Sequence, residues 1–178
     1  MKRVLFPIIA LAFAASTVLA ADAPPGPNPK LKELKYFVGN WQCKGTGFAF
    51  MGTPEHKTTA TVEASWTLND YWLAMHYHES KTAINAQPVD VRIYWGWDDQ
   101  LKKFASGGVD NTGGYYIQNS AGWNGNKLTF DGDMHGGGMT MKVRDVFTKV
   151  SATKVEHMSE VEMGGKWTKL DEETCTKK

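Results

Sequence analysis

The stretch LKYFVGNWQCKG, residues 34–45, marks the point where the hydrophobic pattern of the chain changes its period. Before Gly39, the apolar residues Leu31, Leu34 and Val38 recur at helical spacing, and an Asn-Pro pair upstream supplies an N-cap and a first helical residue. After Gly39, apolar and polar residues alternate, which is the pattern of half-buried strands. We therefore expect one short helix that ends near Val38, followed by strands.

The alternation is clearest in residues 58–66, 89–97 and 139–143. Turn residues such as Asn-Asp, Gly-Gly and Asn-Gly separate the alternating runs at hairpin spacing. This rhythm predicts about ten strands, starting near residues 40, 56, 71, 89, 102, 115, 127, 138, 154 and 166. Antiparallel strands joined in sequence favour an all-β, up-and-down barrel, and a sandwich is the alternative.

Composition excludes several classes of protein. The chain has 178 residues, 42% of them hydrophobic, and a formal net charge of +1, which is typical of one folded domain without a nucleic-acid-binding surface. It contains no Cys-x-x-Cys, His-Glu-x-x-His or Gly-x-Ser-x-Gly motif and no phosphate-binding glycine loop.

The first residues have the pattern of a secretory signal. A basic Lys-Arg start precedes an apolar run, residues 4–15, and small residues lead up to Ala20. We expect residues 1–20 to be a signal peptide, residues 21–29 a proline-rich lead-in, and residues 30–178 one barrel domain. No later stretch is apolar enough to anchor the chain, so we expect a periplasmic or secreted protein with no membrane anchor after cleavage.

The two cysteines test whether the barrel closes. Cys43 lies in the first predicted strand and Cys175 in the last, and closure would make these strands neighbours. A disulfide is then expected in an oxidising compartment, with two free thiols as the alternative. Strict alternation places Cys175 on the same face as Asp171 and Glu173, so either that strand has a bulge or the pair lies on the outer face.

Three segments resemble a known family. They are LKYFVGNWQCKG, WTLNDYWLAMHYHE (residues 66–79) and GGKWTKLDEETCTK (residues 164–177). Gly39-Asn40-Trp41 resembles the Gly-x-Trp that opens lipocalin-like (calycin) barrels. The three segments together are similar to a family of secreted bacterial proteins known as domain of unknown function 1579. The resemblance covers nearly all of residues 30–178 and implies a barrel with an internal cavity, without an established activity.

Two more distant groups are also similar in part. Nitrobindin-like haem barrels open with Gly-x-Trp, and their haem-ligating histidine would correspond most nearly to His157, although the ending KLDEETCTKK departs from their pattern. Fatty-acid-binding barrels hold a carboxylate with an Arg-x-Tyr pair. Arg92-Ile93-Tyr94 has this spacing, in a middle strand rather than the last.

His76 and His78 lie two residues apart and therefore share one face of a strand. With a third ligand from a neighbouring strand they would form a zinc or copper site. The alternative is that they are ordinary surface or cavity-lining histidines.

Asp131, Asp133 and His135 alternate onto one side of a strand end, where a carboxylate could orient His135 as a general base. The alternative is a solvated turn. His157 shares an apolar face with Val155, and it is either a hydrogen-bonded core residue or the best polar contact for a bound molecule.

We expect the interior to bind a small apolar or aromatic molecule, because the chain is rich in aromatic residues and methionine. The predicted ligand-binding residues are His76, His78, Arg92, Tyr94, Trp95, Met141 and His157. A cofactor-free isomerase, lyase or hydrolase is the alternative, with His157, His135, Asp131 and Asp133 as candidate catalytic residues. No resident cofactor or metal is predicted; haem or zinc bound by the histidines is a further alternative. The sequence does not indicate an oligomeric state.

Overall fold

A computed structural model describes residues 25–178, and the ten predicted strands begin within one residue of the expected positions. One further strand, of two residues, was not predicted. The strands are β1 (Gly39–Gly47), β2 (His56–Thr67), β3 (Trp72–Glu79), β4 (Asp90–Asp98), β5 (Lys103–Asp110), β6 (Tyr115–Ser120), β7 (Trp123–Asn124), β8 (Lys127–Gly136), β9 (Met139–Ser151), β10 (Lys154–Met163) and β11 (Lys166–Lys177).

The strands form a closed antiparallel barrel. Strands β1 to β6 pair consecutively along the chain, and so do strands β8 to β11. The ring closes where β6 pairs with β8 and where β1 pairs with β11, while the short β7 extends only the start of β8. The prediction of an all-β, up-and-down barrel is therefore confirmed. Closure leaves none of its ten strands with an unpaired edge.

A 3₁₀ helix, Pro29–Phe37, precedes the barrel and closes one end of it. The Asn28 side chain accepts a hydrogen bond from the Lys30 amide at 3.0 Å and caps the helix. The buried residues are Leu31, Leu34 and Phe37, spaced by three because a 3₁₀ helix has three residues per turn. The α-helical spacing predicted Val38, and not Phe37, as the third buried residue of this helix, but Val38 is only half-buried.

Aromatic side chains fill the helix-side half of the barrel. The Phe37 ring meets Trp95 edge to face at 4.9 Å between centroids, and Trp95 stacks on Phe130 at 4.6 Å. Trp41 Nε1 donates a hydrogen bond to the Phe37 carbonyl at 2.7 Å, so this buried indole has its polar atom paired. This half of the interior is a packed hydrophobic core.

A disulfide joins the first strand of the barrel to the last. Cys43 and Cys175 are directly paired across β1 and β11, with Cα atoms 4.0 Å apart and sulfurs bonded. The predicted bridge is confirmed, and it faces inward, since Cys43 is 0% and Cys175 6% exposed. The register between β10 and β11 shifts at Leu170, which precedes Asp171 in the chain. The alternation from Asp171 to Cys175 is therefore unbroken.

The predicted signal peptide, residues 1–20, lies outside the described residues. Within residues 25–178, no helix is long and apolar enough to cross a membrane.

Candidate functional site

The half of the barrel away from the 3₁₀ helix has a polar interior. Asp171 and Glu173 lie on the same face of β11 as the inward-facing Cys175, so this strand directs both carboxylates into the barrel. Strands paired around the ring add further inward-facing polar side chains. We call the following set the interior polar cluster: Thr58, Tyr77, Ser106, Tyr116, Gln118, Asp145, His157, Asp171 and Glu173.

His157 lies between two carboxylates of this cluster. Its Nε2 atom is 3.0 Å from Asp145 Oδ1, and its Nδ1 atom is 3.3 Å from Asp171 Oδ1. One face of the imidazole stacks on Phe147, with ring centroids 4.6 Å apart. Burial alone would lower the pKa of His157, but the hydrogen bonds and negative charges of Asp145 and Asp171 raise this pKa well above its usual value. The two carboxylates therefore favour the protonated, cationic form of His157.

Glu173 is only 5% exposed and is held by two hydroxyl groups. Its Oε1 atom accepts hydrogen bonds from Thr58 Oγ1 at 2.7 Å and from the Tyr77 hydroxyl at 3.0 Å. Burial and the negative charge of Asp171 raise the pKa of Glu173 despite these bonds. Burial and the Glu173 charge also raise the pKa of Tyr77, so the phenol stays a neutral donor.

A second part of the cluster surrounds Asp145. Gln118 Nε2 donates to Asp145 Oδ2, and burial together with the Asp145 charge raises the pKa of Tyr116, which stays protonated. Within residues 25–178, two buried side-chain oxygens lack a hydrogen bond of good geometry: Ser106 Oγ, and Asp171 Oδ1, whose contact with His157 Nδ1 is long at 3.3 Å. Buried polar atoms are almost always paired, so both are available to a water molecule or a ligand.

Solvent reaches part of the interior polar cluster, where the side chains of His157, Asp145 and Asp171 are 18%, 22% and 33% exposed. Several inward-facing apolar side chains are only half-buried there, namely Val62, Tyr77, Ile93, Met134 and Met141. Apolar side chains and polar groups therefore lie close together in this half of the barrel, as they do in sites for small molecules.

The buried carboxylate of Glu79 connects two loops at the end of the barrel away from the 3₁₀ helix. Glu79 accepts hydrogen bonds from Asn85 Nδ2 at 3.1 Å and from the Val89 amide at 3.0 Å, and lies 3.2 Å from His56 Nε2. His56 Nδ1 lies 2.9 Å from the Pro54 carbonyl. The contacts fix the loops at residues 48–55 and 80–89 above the interior polar cluster.

The structure divides the predicted ligand-binding residues between the two faces of the barrel. His157 and Met141 face the interior, whereas Trp95 is sealed in the aromatic core at 2% exposure. His76, His78, Arg92 and Tyr94 lie on the outer face. The expectation that these four line the cavity is therefore corrected: on β3 and β4 they alternate with buried, inward-facing neighbours such as Met75 and Trp95.

The predicted acid–base pairs of β8 also lie outside the barrel. Asp133 forms an ion pair with Lys142 at 2.7 Å, and Asp131 is exposed opposite Arg144 on β9. His135 stacks on Tyr115 with centroids 4.5 Å apart, beside a surface hollow of about 340 Å³, and its Nδ1 atom meets Thr140 Oγ1 at 2.9 Å. Neither carboxylate contacts His135, so this part of the expectation is corrected.

Asp145, Asp171 and Glu173 are interior residues that the sequence pattern alone did not predict. The sequence did contain a signal for Asp171 and Glu173, because strand alternation places them on the same face as Cys175. An inward disulfide implies inward carboxylates, whereas the usual preference of Asp and Glu for solvent pointed outward.

Comparison with protein-family models identifies a family that covers most of the chain. A family model described as a protein of unknown function, DUF1579, covers residues 26–177. No curated protein matches the chain.

Proposed function

We propose that this chain, which belongs to the DUF1579 family of proteins of unknown function, is a periplasmic or secreted barrel that binds a small apolar or aromatic molecule in its interior. We further propose that the polar end of that molecule is a cation or a hydrogen-bond donor. The observation that carries the proposal is the single imidazolium of His157 held between the carboxylates of Asp145 and Asp171.

The charge of the interior supports a cationic head group. Within residues 25–178, Asp145, Asp171 and Glu79 form ion pairs only with histidines, and Glu173 forms none. Negative charge therefore exceeds positive charge inside the barrel, and a ligand carboxylate would add repulsion and a desolvation cost. This argues against the fatty-acid-type site that Arg92 and Tyr94 suggested, since Arg92 is exposed on the outer face.

The walls support an apolar or aromatic body. Phe147 stacks on His157, and the inward-facing Met134 and Met141 are paired further along β8 and β9, toward the end away from the 3₁₀ helix. Methionine side chains adapt to irregular ligands, and an aromatic ring next to a charged group binds the flat part of an aromatic amine.

A catalytic role is the second candidate, and the contact between His157 and Asp145 favours it. A buried imidazolium hydrogen-bonded to a carboxylate can act as a general acid, as a cofactor-free isomerase, lyase or hydrolase requires. Haem ligation by His157 is disfavoured, because both ring nitrogens face carboxylates and the imidazolium has no free lone pair.

The compartment is proposed on two observations. The sequence of residues 1–20 has the secretory pattern, and the disulfide between Cys43 and Cys175 persists where the environment is oxidising. Export would yield a mature chain beginning at Ala21, which intact mass and N-terminal sequencing of the periplasmic fraction would identify.

The first test is native mass spectrometry of protein purified from a periplasm. A bound mass that leaves on denaturation would identify a retained ligand. A matched pair of probes then tests the head group: 2-phenylethylamine and 3-phenylpropanoate differ mainly in charge. In backbone NMR titrations we expect the amine to shift amides of β9 to β11, and the carboxylate to leave them unchanged.

Variants localise the effect. Asp171→Asn should weaken binding of the amine, while Asp133→Asn, which changes a carboxylate on the outer face, should not. Equal binding of both probes would contradict the proposed charge preference. The absence of a retained ligand together with no response to either probe would contradict the binding proposal. Turnover of a substrate that is lost in His157→Gln would favour the catalytic candidate.

A further inference from the structure

Three potential metal ligands meet on the outer face of the barrel, away from the interior polar cluster. His76 Nε2 is 3.0 Å from Asp90 Oδ1, and His78 Nδ1 is 2.7 Å from Asp90 Oδ2. One donor atom from each of the three residues lies within 4.8 Å of the others.

The strand register produces this convergence. His76 and His78 share the outer face of β3 because they are two residues apart. Asp90, the first residue of β4, pairs directly with His78 and is therefore diagonal to His76. The Asp90 amide donates to Asn111 Oδ1 at 3.1 Å, and Asn111 Nδ2 donates to the Pro88 carbonyl at 3.0 Å. These bonds fix the backbone that carries the carboxylate.

We propose that His76 Nε2, His78 Nδ1 and the Asp90 carboxylate bind one divalent transition-metal ion, with Zn²⁺ as the reference ion. Two imidazoles and one carboxylate are a common zinc ligand set, in which a solvent molecule completes the tetrahedron. Zinc–ligand bonds of this kind place neighbouring donors about 3.3 Å apart. The imidazole–carboxylate contacts of 2.7 and 3.0 Å therefore need to open by only a few tenths of an ångström.

The site is accessible to a hydrated ion. The side chains of His78, Asp90 and His76 are 54%, 34% and 23% exposed. His76 is flanked by Glu63 on β2 and Arg92 on β4, which are both exposed. The charge of Glu63 offsets that of Arg92, and the Asp90 carboxylate leaves the site with the negative charge that a divalent cation requires.

The three ligands also flank a loop. His76 and His78 lie just before residues 80–89, and Asp90 lies just after them, so an ion bound here would join the two ends of this loop. The other group of three potential ligands in residues 25–178 includes Cys43 and Cys175, whose sulfurs are already bonded to each other.

The test uses the disulfide-bonded exported protein, without a polyhistidine tag, titrated with zinc chloride in a calorimeter. We expect one site per chain with a dissociation constant of about 10 µM or tighter. NMR signals of His76 and His78 should change on addition of zinc, and zinc should raise the melting temperature because only the folded chain presents the site.

Two variants and one control isolate the ligands. His78→Ala removes an exposed imidazole, and Asp90→Asn removes the carboxylate charge at constant shape; each should weaken zinc binding at least tenfold. His135→Ala removes an outer-face histidine that meets Thr140 instead, and should leave the affinity unchanged. Circular dichroism and the intact mass verify folding. No saturable 1:1 binding by the wild type, or an equal loss in His135→Ala, would overturn the proposal.

Discussion

His157 is a charged residue inside a barrel, and its partners explain why it is tolerated there. A buried ion costs several kcal/mol of desolvation unless it is paired and hydrogen-bonded. Asp145 and Asp171 supply that pairing from β9 and β11, and Phe147 covers one face of the ring. The charge of His157 in turn lowers the cost of placing two carboxylates close together.

This arrangement predicts a pH dependence of stability. The pKa of His157 is higher in the folded chain than its ordinary value of 6.5, which applies to the unfolded chain. The stabilisation from its protonation is therefore complete below about pH 6.5 and is lost as the pH rises through the folded-state pKa. Across that window the free energy of unfolding should fall by up to about 1.4 kcal/mol per pH unit.

The comparison of wild type with His157→Gln isolates this contribution. Urea unfolding between pH 6 and pH 9 should give a difference in free energy that shrinks as the pH rises, and an NMR titration should show the His157 ring protonated at pH 7. A difference that stays constant over this pH range would argue against a raised pKa for His157.

At the scale of the element, the strands show how much the sequence determines. Alternation located the start of all ten barrel strands, because burial on one face imposes period two on each of them. Where both faces of a strand carry polar residues, as around Asp171 and His76, alternation could not show which face points into the barrel. The missing information is which donors lie on neighbouring strands, and only the register supplies it.

Two glycines in the barrel wall provide a matched prediction. A Cβ atom on Gly132 of β8 would lie 2.1 Å from the Ile117 carbonyl oxygen on β6, whereas one on Gly107 of β5 would lie 3.8 Å from its nearest neighbour. Gly132→Ala should therefore cost about 2 kcal/mol or more, because backbone must move where the ring closes. Gly107→Ala should change stability by less than about 0.5 kcal/mol. Denaturant midpoints measure both; equal effects would show that β6 and β8 are not in such close contact.

For the whole molecule, closure depends on one junction between distant parts of the chain. β1 and β11 are separated by nearly the full sequence, and Cys43 and Cys175 join them across 132 residues. A link across so long a loop restricts the unfolded chain strongly, and the loop-entropy relation gives an upper value of about 5 kcal/mol.

Removing this bridge should therefore weaken the fold without changing its topology. In the variant with Cys43→Ala and Cys175→Ala, we expect the free energy of unfolding to fall by about 3 to 5 kcal/mol. Denaturant unfolding of wild type, oxidised and reduced, gives the same comparison without substitution. Oxidised and reduced protein of equal stability would contradict this role of the bridge.

The position of the bridge also determines how the molecule would respond to mechanical force. A pull on the two ends of the described chain, Pro25 and Lys178, enters the barrel at β1 and β11 and passes directly through the sulfur–sulfur bond. The segment between the cysteines carries no tension while that bond is intact, so its hairpins remain folded. After reduction, unfolding of the barrel under load would extend the chain across the 132-residue separation of the cysteines by about 450 Å. The barrel would thus resist extension while the disulfide is intact, and would become extensible only after a thiol has reduced this bond.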